Sequence, residues 1–470
     1  MTATKNPTYD YDLIVIGAGP VGENVADYAT RRGLHTAIVE SELVGGECSY
    51  WACMPSKALL RSGHAIRAAR RLPGAREAIG AIDAPAVLAR RTAFTSGWRD
   101  DGQAAWVESA GIGLIRGHGH LAGPRRVEVG GRIYSARAVA LTTGSIPVLP
   151  AIPGLAEAAP WGTREAAAAD HVPPRLIIIG GGVAGTEFAF AFSSLGSQVT
   201  VLSRDRLLER EEPFAGELVA AALSDEGVDV RIGASPARVG RHRDGSVTVT
   251  LDDGAELDAD ELLVATGRRP NTDDLGLDSI GASPLPAVDD TMLVSGTDWL
   301  YAVGDVNGRA LLTHQGKYQA RAAGEVIAAR LNGAPVHDGP WGAHVATADR
   351  SAVPRVVFSD PEVAAVGLTE ADAETAGLNV RAVEYDLGQV AGAALHADGY
   401  AGRAKLVVDE DRRVIVGATF VGQDAAELVH AATVALVGEV TIDRLWHAVP
   451  AYPTLSEVWL RLLEAYGRPD

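Results

Sequence analysis

"YDLIVIGAGPVGENVADYATRRGLHTAIVE", residues 11–40, is the stretch from which the fold can be read. Leu13 to Ile16 is an unbroken apolar run of the length expected for a buried strand. Gly17, Gly19 and Gly22 follow in G-x-G-x-x-G spacing, and a helix is predicted from there to Arg32. A second strand, Thr36 to Val39, ends at Glu40. A lone glycine triplet is a weak signal. Strand, glycine turn, helix, strand and acid in that order form a dinucleotide-binding fingerprint. Gly17 makes the tight turn, Gly19 lets a pyrophosphate approach the backbone, and Gly22 lets helix and strand pack closely. The helix start offers N–H groups and a partial positive charge to phosphate. Glu40, 23 residues after Gly17, can accept from ribose hydroxyls and would repel a 2′-phosphate.

The pattern recurs at 175–203, "RLIIIGGGVAGTEFAFAFSSLGSQVTVLS", where Gly180, Gly182 and Gly185 repeat the spacing. Here the second strand ends at Ser203 without an acid, and Arg204 and Arg210 follow. Two cradles predict two dinucleotides. The acid-ended one suits FAD or NAD. The other suits a nicotinamide nucleotide with a 2′-phosphate, so NADP(H) is expected ahead of NAD(H). The competing reading puts Arg204, Arg206 and Arg210 on a solvated loop, offset by Asp205 and Glu209.

The bulk of the chain narrows the classes. Its 470 residues predict about two to four domains, and 47% hydrophobic residues suffice for full cores. Lys and Arg number 42 against 60 Asp and Glu, a net charge of −18 that offers no basic excess for nucleic acid. The longest apolar stretch, "LIIIGGGVAGTEFAFAFSSLG", carries three consecutive glycines and Glu187, too interrupted for a membrane span. The opening "MTATKNPTYDYD" is polar and lacks an apolar signal core. A soluble cytoplasmic protein without membrane or nucleic-acid partners is expected.

Only two cysteines occur, both in "GGECSYWACMPSK", residues 45–57. Cys48 and Cys53 are five apart and would not face each other on a regular helix. Bridging them needs a distorted turn, which the nearby Pro55 would favour. A bond closing so small a loop adds little stability, so its value would lie in being opened. Thiolates need a helix start or a cation nearby; the turn supplies the first, and Lys57 stands one turn on. Two other readings compete. A zinc site would lack two further ligands at the required spacing, and no resident metal is expected. Two inert buried thiols are the remaining alternative.

The same thirteen residues resemble the G-G-x-C-x-x-x-x-C-x-P-S-K signature of the pyridine nucleotide–disulfide oxidoreductases, the flavoproteins that include dihydrolipoyl dehydrogenase, glutathione reductase and mercuric reductase. Further motifs follow in family order: "LTTGSIPVLPAIPG" (141–154) and "VATGRRPNT" (264–272) resemble its two crossovers. "LYAVGDV" (300–306) with "LLTHQG" (311–316) resembles its flavin-closing motif, and "VFSDPEVAAVGLTE" (357–370) the entry to its dimerisation domain.

The resemblance implies an α/β protein with two Rossmann-like dinucleotide-binding domains and an α+β C-terminal dimerisation domain. A flavin domain would cover 1–152 and resume at 276–340, a nicotinamide domain 153–275, and an interface domain 341–470. Pro147, Pro150 and Pro153 punctuate the first boundary and Pro270-Asn271 the second. After residue 354, alternating apolar runs such as "AKLVVDE" and "VIVGATFVG" predict an antiparallel sheet. The resemblance also implies FAD and a homodimer whose active site is completed by the partner subunit. It lays Cys53 over the flavin and turns Cys48 outward to attack substrate. Lys57 would lie near the flavin N5 and pair with Glu187, and Asp305 would bind the ribityl chain. Gly46, Gly119, Thr143, Gly144, Gly267, Leu312 and Thr313 are implied as further cofactor contacts.

The other end departs from the family. "LWHAVPAYPTLSEVWLRLLEAYG" (445–467) resembles the terminal H-P-T-x-S-E motif, but on that alignment the glutamate is Glu457 and the histidine position holds Tyr452. Histidine titrates at about 6.5 and both takes and gives a proton at neutral pH; tyrosine, at about 10, is a poor base. His447 either substitutes as base or is an ordinary interface histidine, and the second reading is favoured. A tyrosine here, the Arg204 to Arg210 spacing and "REEPFAGELVAAALSDEGVDV" (210–230) resemble the mercuric-reductase branch. That branch carries a C-terminal cysteine pair, whereas this chain closes on "LLEAYGRPD" and has no N-terminal metal-binding cysteine motif, so full mercuric reductase function is not expected. Tyr50 and Trp51 either narrow access to Cys48 or pack, with packing favoured.

The expected function is an FAD-dependent NAD(P)H oxidoreductase. Electrons would pass from nicotinamide through flavin to a Cys48–Cys53 disulfide, and then to a small-molecule acceptor: a disulfide, a quinone or a soft metal ion. The rivals are a dihydrolipoyl dehydrogenase of a 2-oxoacid dehydrogenase complex, against which Tyr452 argues, and a flavin redox sensor that has lost turnover.

Overall fold

Leu13, Ile14 and Val15 lie fully buried in the strand Tyr11–Ile16, and the first half of the fold is built outward from them. The computed structural model describes residues 9–468, so most of the polar N-terminal stretch and the last two residues of the closing segment lie outside the described residues. The chain forms two compact units, each drawn from three stretches. The first comprises Met1–Met54, Thr92–Pro147 and Arg268–Asp349; the second comprises Pro55–Arg91, Val148–Gly267 and Arg350–Asp470.

In the first unit Tyr11–Ile16 pairs in parallel with Thr36–Glu40 on one side and Arg132–Leu141 on the other. Gly113–Arg116 and Leu300–Ala302 extend the parallel set. The long strand Arg132–Leu141 also turns into an antiparallel ribbon with Arg126–Val129 and Gly119–Leu121. The helix Pro20–Arg31 buries Gly22, Val25, Ala26 and Ala29, one stripe at helical spacing. That stripe packs against the helix Thr313–Asn332, whose Ala320 and Ala323 share its core.

The second unit repeats the plan. Arg175–Ile179 pairs in parallel with Gln198–Ser203 and Glu261–Val264, and Asp229–Ile232 adds beyond Gln198–Ser203. The helix Val183–Ser194 is buried from Gly185 to Phe192, as an all-round apolar helix must be. A five-stranded antiparallel sheet runs in the order Pro354–Val357, Glu362–Gly367, Val414–Gly422, Arg403–Asp409, Val380–Asp386. The alternating runs after residue 354 therefore form the antiparallel sheet they predict, and the mixed α/β class expected from the sequence is the one adopted.

Buried charges tie the second unit together. Arg67, buried on the helix Cys53–Arg70, donates to Asp360 at 2.9 Å and to Ser194 Oγ at 2.6 Å. Lys405 lies within 3.0 Å of Glu212, 2.7 Å of Glu370 and 3.0 Å of Glu384. Burial works against its charge, but hydrogen bonds to Glu370, Glu212 and Glu384 outweigh burial and hold the ammonium above its ordinary value. Removing one partner of such a buried set costs about 3–5 kcal/mol, because the other charge stays behind without compensation.

Glu362 is the opposite case. Burial pushes its carboxyl up to about 7; the hydrogen bond from Ala426 N opposes this, and Asp424, Asp360 and Glu427 reinforce it. The unfolded group ionises near 4.5. Between those two values the unfolded chain sheds a proton that the folded chain keeps, so this group's contribution to stability falls as pH rises and is flat above about 7. Glu362→Gln removes that loss. The variant's melting temperature, relative to the parent, should rise between pH 5 and pH 8; a pH-independent difference would count against the assignment.

Candidate active site

Gly17 has φ +103°, a conformation that L side chains rarely adopt. A Cβ on Gly22 would lie 1.9 Å from the Gly17 carbonyl oxygen, so turn and helix meet with only hydrogen between them. Gly19 caps Pro20–Arg31 without a side-chain hydrogen bond, which leaves the first-turn N–H groups outward-facing. Glu40 closes the turn from the next strand, accepting from Ala18 N at 2.7 Å and from Glu42 N at 2.7 Å.

The second cradle has the same construction. A Cβ on Gly185 would lie 1.9 Å from the Gly180 carbonyl oxygen, and Gly182 caps Val183–Ser194 without a side-chain bond. Ser203 is buried at the end of its strand. Arg204 is exposed and pairs with Asp205 at 2.9 Å, and Arg210 is exposed. Arg206, given no separate role by sequence reasoning, donates to the Glu209 and Glu211 carbonyls and so shapes the loop.

The thiols sit beside the first cradle. Cys48 lies in the short helix Gly46–Tyr50, and Cys53 opens the helix Cys53–Arg70. A Cβ on Gly46 would lie 2.7 Å from Gly19 Cα, so the start of the Cys48 helix rests on the phosphate turn. The break between the helices falls at Trp51, whose φ is −136°. Pro55 stands in the first turn of its helix, where no N–H is needed. The two cysteines are not joined by a disulfide in this structure. Cys53 Sγ lies 3.4 Å from Thr313 Oγ1, at the start of the helix that Leu312 caps. Tyr50 is buried, and its backbone carbonyl accepts from Trp98 Nε1 at 3.2 Å. Burial, with Asp100 and Glu23 adding to it, lifts its phenol to about 12.

Asp305 lies in the turn Gly304–Asn307, where burial pushes its carboxyl up while a hydrogen bond from Ser145 and the charge of Arg268 oppose. Ser145 Oγ donates to Asp305 at 2.6 Å, and Arg268 Nε donates to Ser145 Oγ at 2.9 Å. Arg268 also pairs with Glu47. Sequence reasoning gave Ser145, Arg268 and Glu47 no role, although each stands inside a quoted motif. The available signal was charge: Glu47 and Arg268 are ionic residues in otherwise small-residue turns. Nearby, Thr143 Oγ1 donates to the Asn271 carbonyl at 2.7 Å, next to Gly144, and Gly119 opens the strand Gly119–Leu121.

Within the second unit Lys57 Nζ donates to Glu187 Oε2 at 2.7 Å, and the other oxygen of Glu187 accepts from Phe358 N at 3.0 Å. The ammonium also lies 4.9 Å from the centre of the Phe358 ring. The Gly267 carbonyl accepts from Val148 N at 3.0 Å. Tyr452 is 76% exposed, and Val449, three residues before it, is 86% exposed. His447 is also exposed. Glu457 is buried and accepts from Arg461 at 2.7 Å.

Residues 11–325 match the pyridine nucleotide-disulphide oxidoreductase family, and residues 353–462 match that family's dimerisation domain. The chain belongs to this family. A mercuric reductase of Shigella flexneri is 33% identical over 460 residues, covering 95% of this chain and 79% of its own. A dihydrolipoyl dehydrogenase of Thermus scotoductus is 33% identical over 475 residues, covering 97% of each. Among solved structures, the HOCl-induced flavoprotein disulfide reductase RclA of Escherichia coli superposes with a TM-score of 0.81 at 25% identity, covering 97% of this chain and 99% of that one.

Family membership brings FAD- and NAD(P)-binding capacity, and the residues fit it. The two glycine turns leave helix starts open where any larger side chain would intrude, and Asp305 holds a half-buried carboxylate toward which hydroxyl donors would be favourable. Among the described residues no helix is long and apolar enough to cross a membrane. Gly22→Ala should abolish FAD retention, read from the absorbance of the purified chain. Gly185→Ala should leave FAD in place and weaken NAD(P)H binding at least tenfold. Loss of FAD from Gly185→Ala, or normal NAD(P)H binding in it, would contradict the expectation of FAD at the first turn and NAD(P)H at the second.

Proposed function

We propose that the chain takes electrons from NAD(P)H and delivers them through Cys48 and Cys53, cycling between dithiol and disulfide, to a small-molecule acceptor. The observation that supports this reading is the seating of the Cys48 helix on the first glycine turn, with the chain's only other cysteine opening the next helix. FAD, when bound, supplies two-electron exchange between nicotinamide and sulfur. The protein's own residues do the rest. Gly17, Gly19, Gly22, Glu40, Gly46 and Asp305 hold FAD, with Gly119, Thr143, Gly144, Leu312 and Thr313 around it, and Gly267 stands as a further cofactor contact in the unit of the second glycine turn. Gly180, Gly182, Gly185 and Ser203 hold the nicotinamide nucleotide. The Lys57–Glu187 pair keeps an ammonium oriented for the flavin. With a disulfide acceptor, the Cys48 thiolate attacks one sulfur, one acceptor thiolate leaves, and the Cys53 thiolate closes the internal disulfide. Two electrons pass to the acceptor, whose two sulfurs each gain a proton.

We further propose the layout 1–152 and 276–340 for flavin, 153–275 for nicotinamide and 341–470 for a homodimer interface. In that dimer Tyr452 and Glu457 of the partner subunit complete the site, Tyr452 donating a proton to the leaving thiolate and Glu457 orienting it, with His447 as an interface histidine. The exposure of Val449 and Tyr452 supports a covered surface there. A quinone or a soft metal ion remains an acceptor of equal standing, since neither needs a histidine base. A second reading, a dihydrolipoyl dehydrogenase, is favoured by the 97% mutual coverage with the Thermus relative.

An acceptor series of lipoamide, oxidised glutathione, a quinone and Hg²⁺ tests the proposal. Turnover with at least one, lost in Cys53→Ser together with the long-wavelength charge-transfer absorbance of the reduced protein, is expected. Absorbance that survives the substitution would refute the role of Cys53. Tyr452→His should speed disulfide reduction at least several-fold at pH 7; an unchanged rate, with loss of rate in His447→Ala, would move the proton to His447. Exposed Arg204 and Arg210 support a 2′-phosphate contact, so kcat/KM should favour NADPH over NADH about tenfold or more. Equal values would make both arginines bystanders.

A further inference from the structure

Four residues distant in sequence form one polar chain in the first unit. The Asp305 carboxylate accepts from Ser145 Oγ, Ser145 Oγ accepts from Arg268 Nε, and the Arg268 guanidinium pairs with Glu47. Arg268 Nη2 also donates to the Ser145 backbone carbonyl at 2.5 Å, so the guanidinium is fixed at two points on the Ser145 side. Both charged partners are partly shielded, with side chains 26% exposed for Arg268 and 34% for Glu47. An ion pair so shielded is screened less by solvent than a surface pair. Glu47 is the residue immediately before Cys48 and lies in the first turn of the same five-residue helix. That helix is too short to hold its own shape. Among the contacts that hold it are Gly46 on Gly19, buried Tyr50 at its far end, and Glu47 on Arg268. The third is ionic.

We propose that Glu47 is a positioning residue for Cys48, forming with Arg268 a charge-matched strut that fixes the Cys48 helix to the Ser145–Asp305 side of the cofactor cradle. The inference rests on the reading of Cys48 as the attacking thiol and deepens it. The strut has two consequences. It fixes the direction of the first helical turn, and it sets a cation and an anion together at the position one residue before the thiol, so that each offsets the other's field. Removing either partner breaks the same bond but leaves a field of opposite sign. The charges that act on Tyr50, at the far end of the helix, are Glu23 on Pro20–Arg31, together with Asp100, Asp101 and Arg116. They are common to every variant and drop out of the comparison.

The test uses the FAD-loaded chain carrying Cys53→Ser, so that Cys48 is the one thiol. Its alkylation by iodoacetamide is followed by mass spectrometry across pH 5 to 10. Glu47→Gln leaves Arg268 without its carboxylate partner, and the pH of half-maximal rate should fall by about half a unit or more. Arg268→Met removes the cation that faces Glu47, and the midpoint should rise by a similar amount. Glu47→Asp, which keeps the charge, should restore the parent midpoint to within about a quarter of a unit. Should Arg268→Met fail to retain FAD, the pair Glu47→Gln and Glu47→Asp decides alone. Midpoints that move in the same direction in Glu47→Gln and Arg268→Met, or do not move in Glu47→Gln, overturn the strut: the first is loosening without charge, the second no coupling at all. A parent chain that holds FAD yet shows no alkylation of Cys48 at any pH would instead sink the attacking-thiol reading, and the strut with it.

Discussion

Two backbone contacts of the same kind carry the fold. At Gly22 against Gly17, and again at Gly185 against Gly180, a helix comes so close to the turn before it that one carbon atom would separate them. That closeness aims each helix start outward from the end of a parallel strand, the place where open α/β sheets bind ligands. The first turn then does a second job. Gly46 rests on Gly19, so the segment holding both cysteines is seated by the same backbone that would hold phosphate. A thiol pair elsewhere would need its own scaffold; here one turn serves both.

The cradles were legible because their information is local. Strand, triplet and helix sit within thirty residues, and the apolar runs fix the register of each. Strand ends agree closely with the reading: Thr36–Glu40 ends at the acid and Gln198–Ser203 at the serine. The five-stranded sheet was readable for the same reason, since alternation along a half-buried strand is a local pattern. Pro55, expected to favour a distorted turn between the cysteines, stands in the first turn of a helix, where its missing N–H costs nothing.

Beyond the Lys57–Glu187 pair, which the family resemblance implied, long-range polar contacts escaped the sequence. Glu47, Ser145, Arg268 and Asp305 span 258 positions, and spacing carries no hint that they meet. The same holds for Arg67 with Asp360 and for Lys405 with its three carboxylates. Each is a buried or half-buried charge whose only outward sign is an ionic residue in an apolar or small-residue stretch. Such residues are dear to bury unless paired, so an ionic residue in a packed segment is itself a clue that a partner exists, though not to where it lies.

Glu187 shows how finely one side chain is measured. Its two oxygens reach in two directions, one to the ammonium of Lys57 and the other to the backbone of Phe358. The side chain thus acts as a ruler between a helix and a strand-end loop. An aspartate, one methylene shorter, spans only one of those gaps, and a glutamine presents an amide where one of the two donors needs an acceptor. Length and charge are set together at this position, and neither conservative neighbour in the amino-acid alphabet meets both requirements.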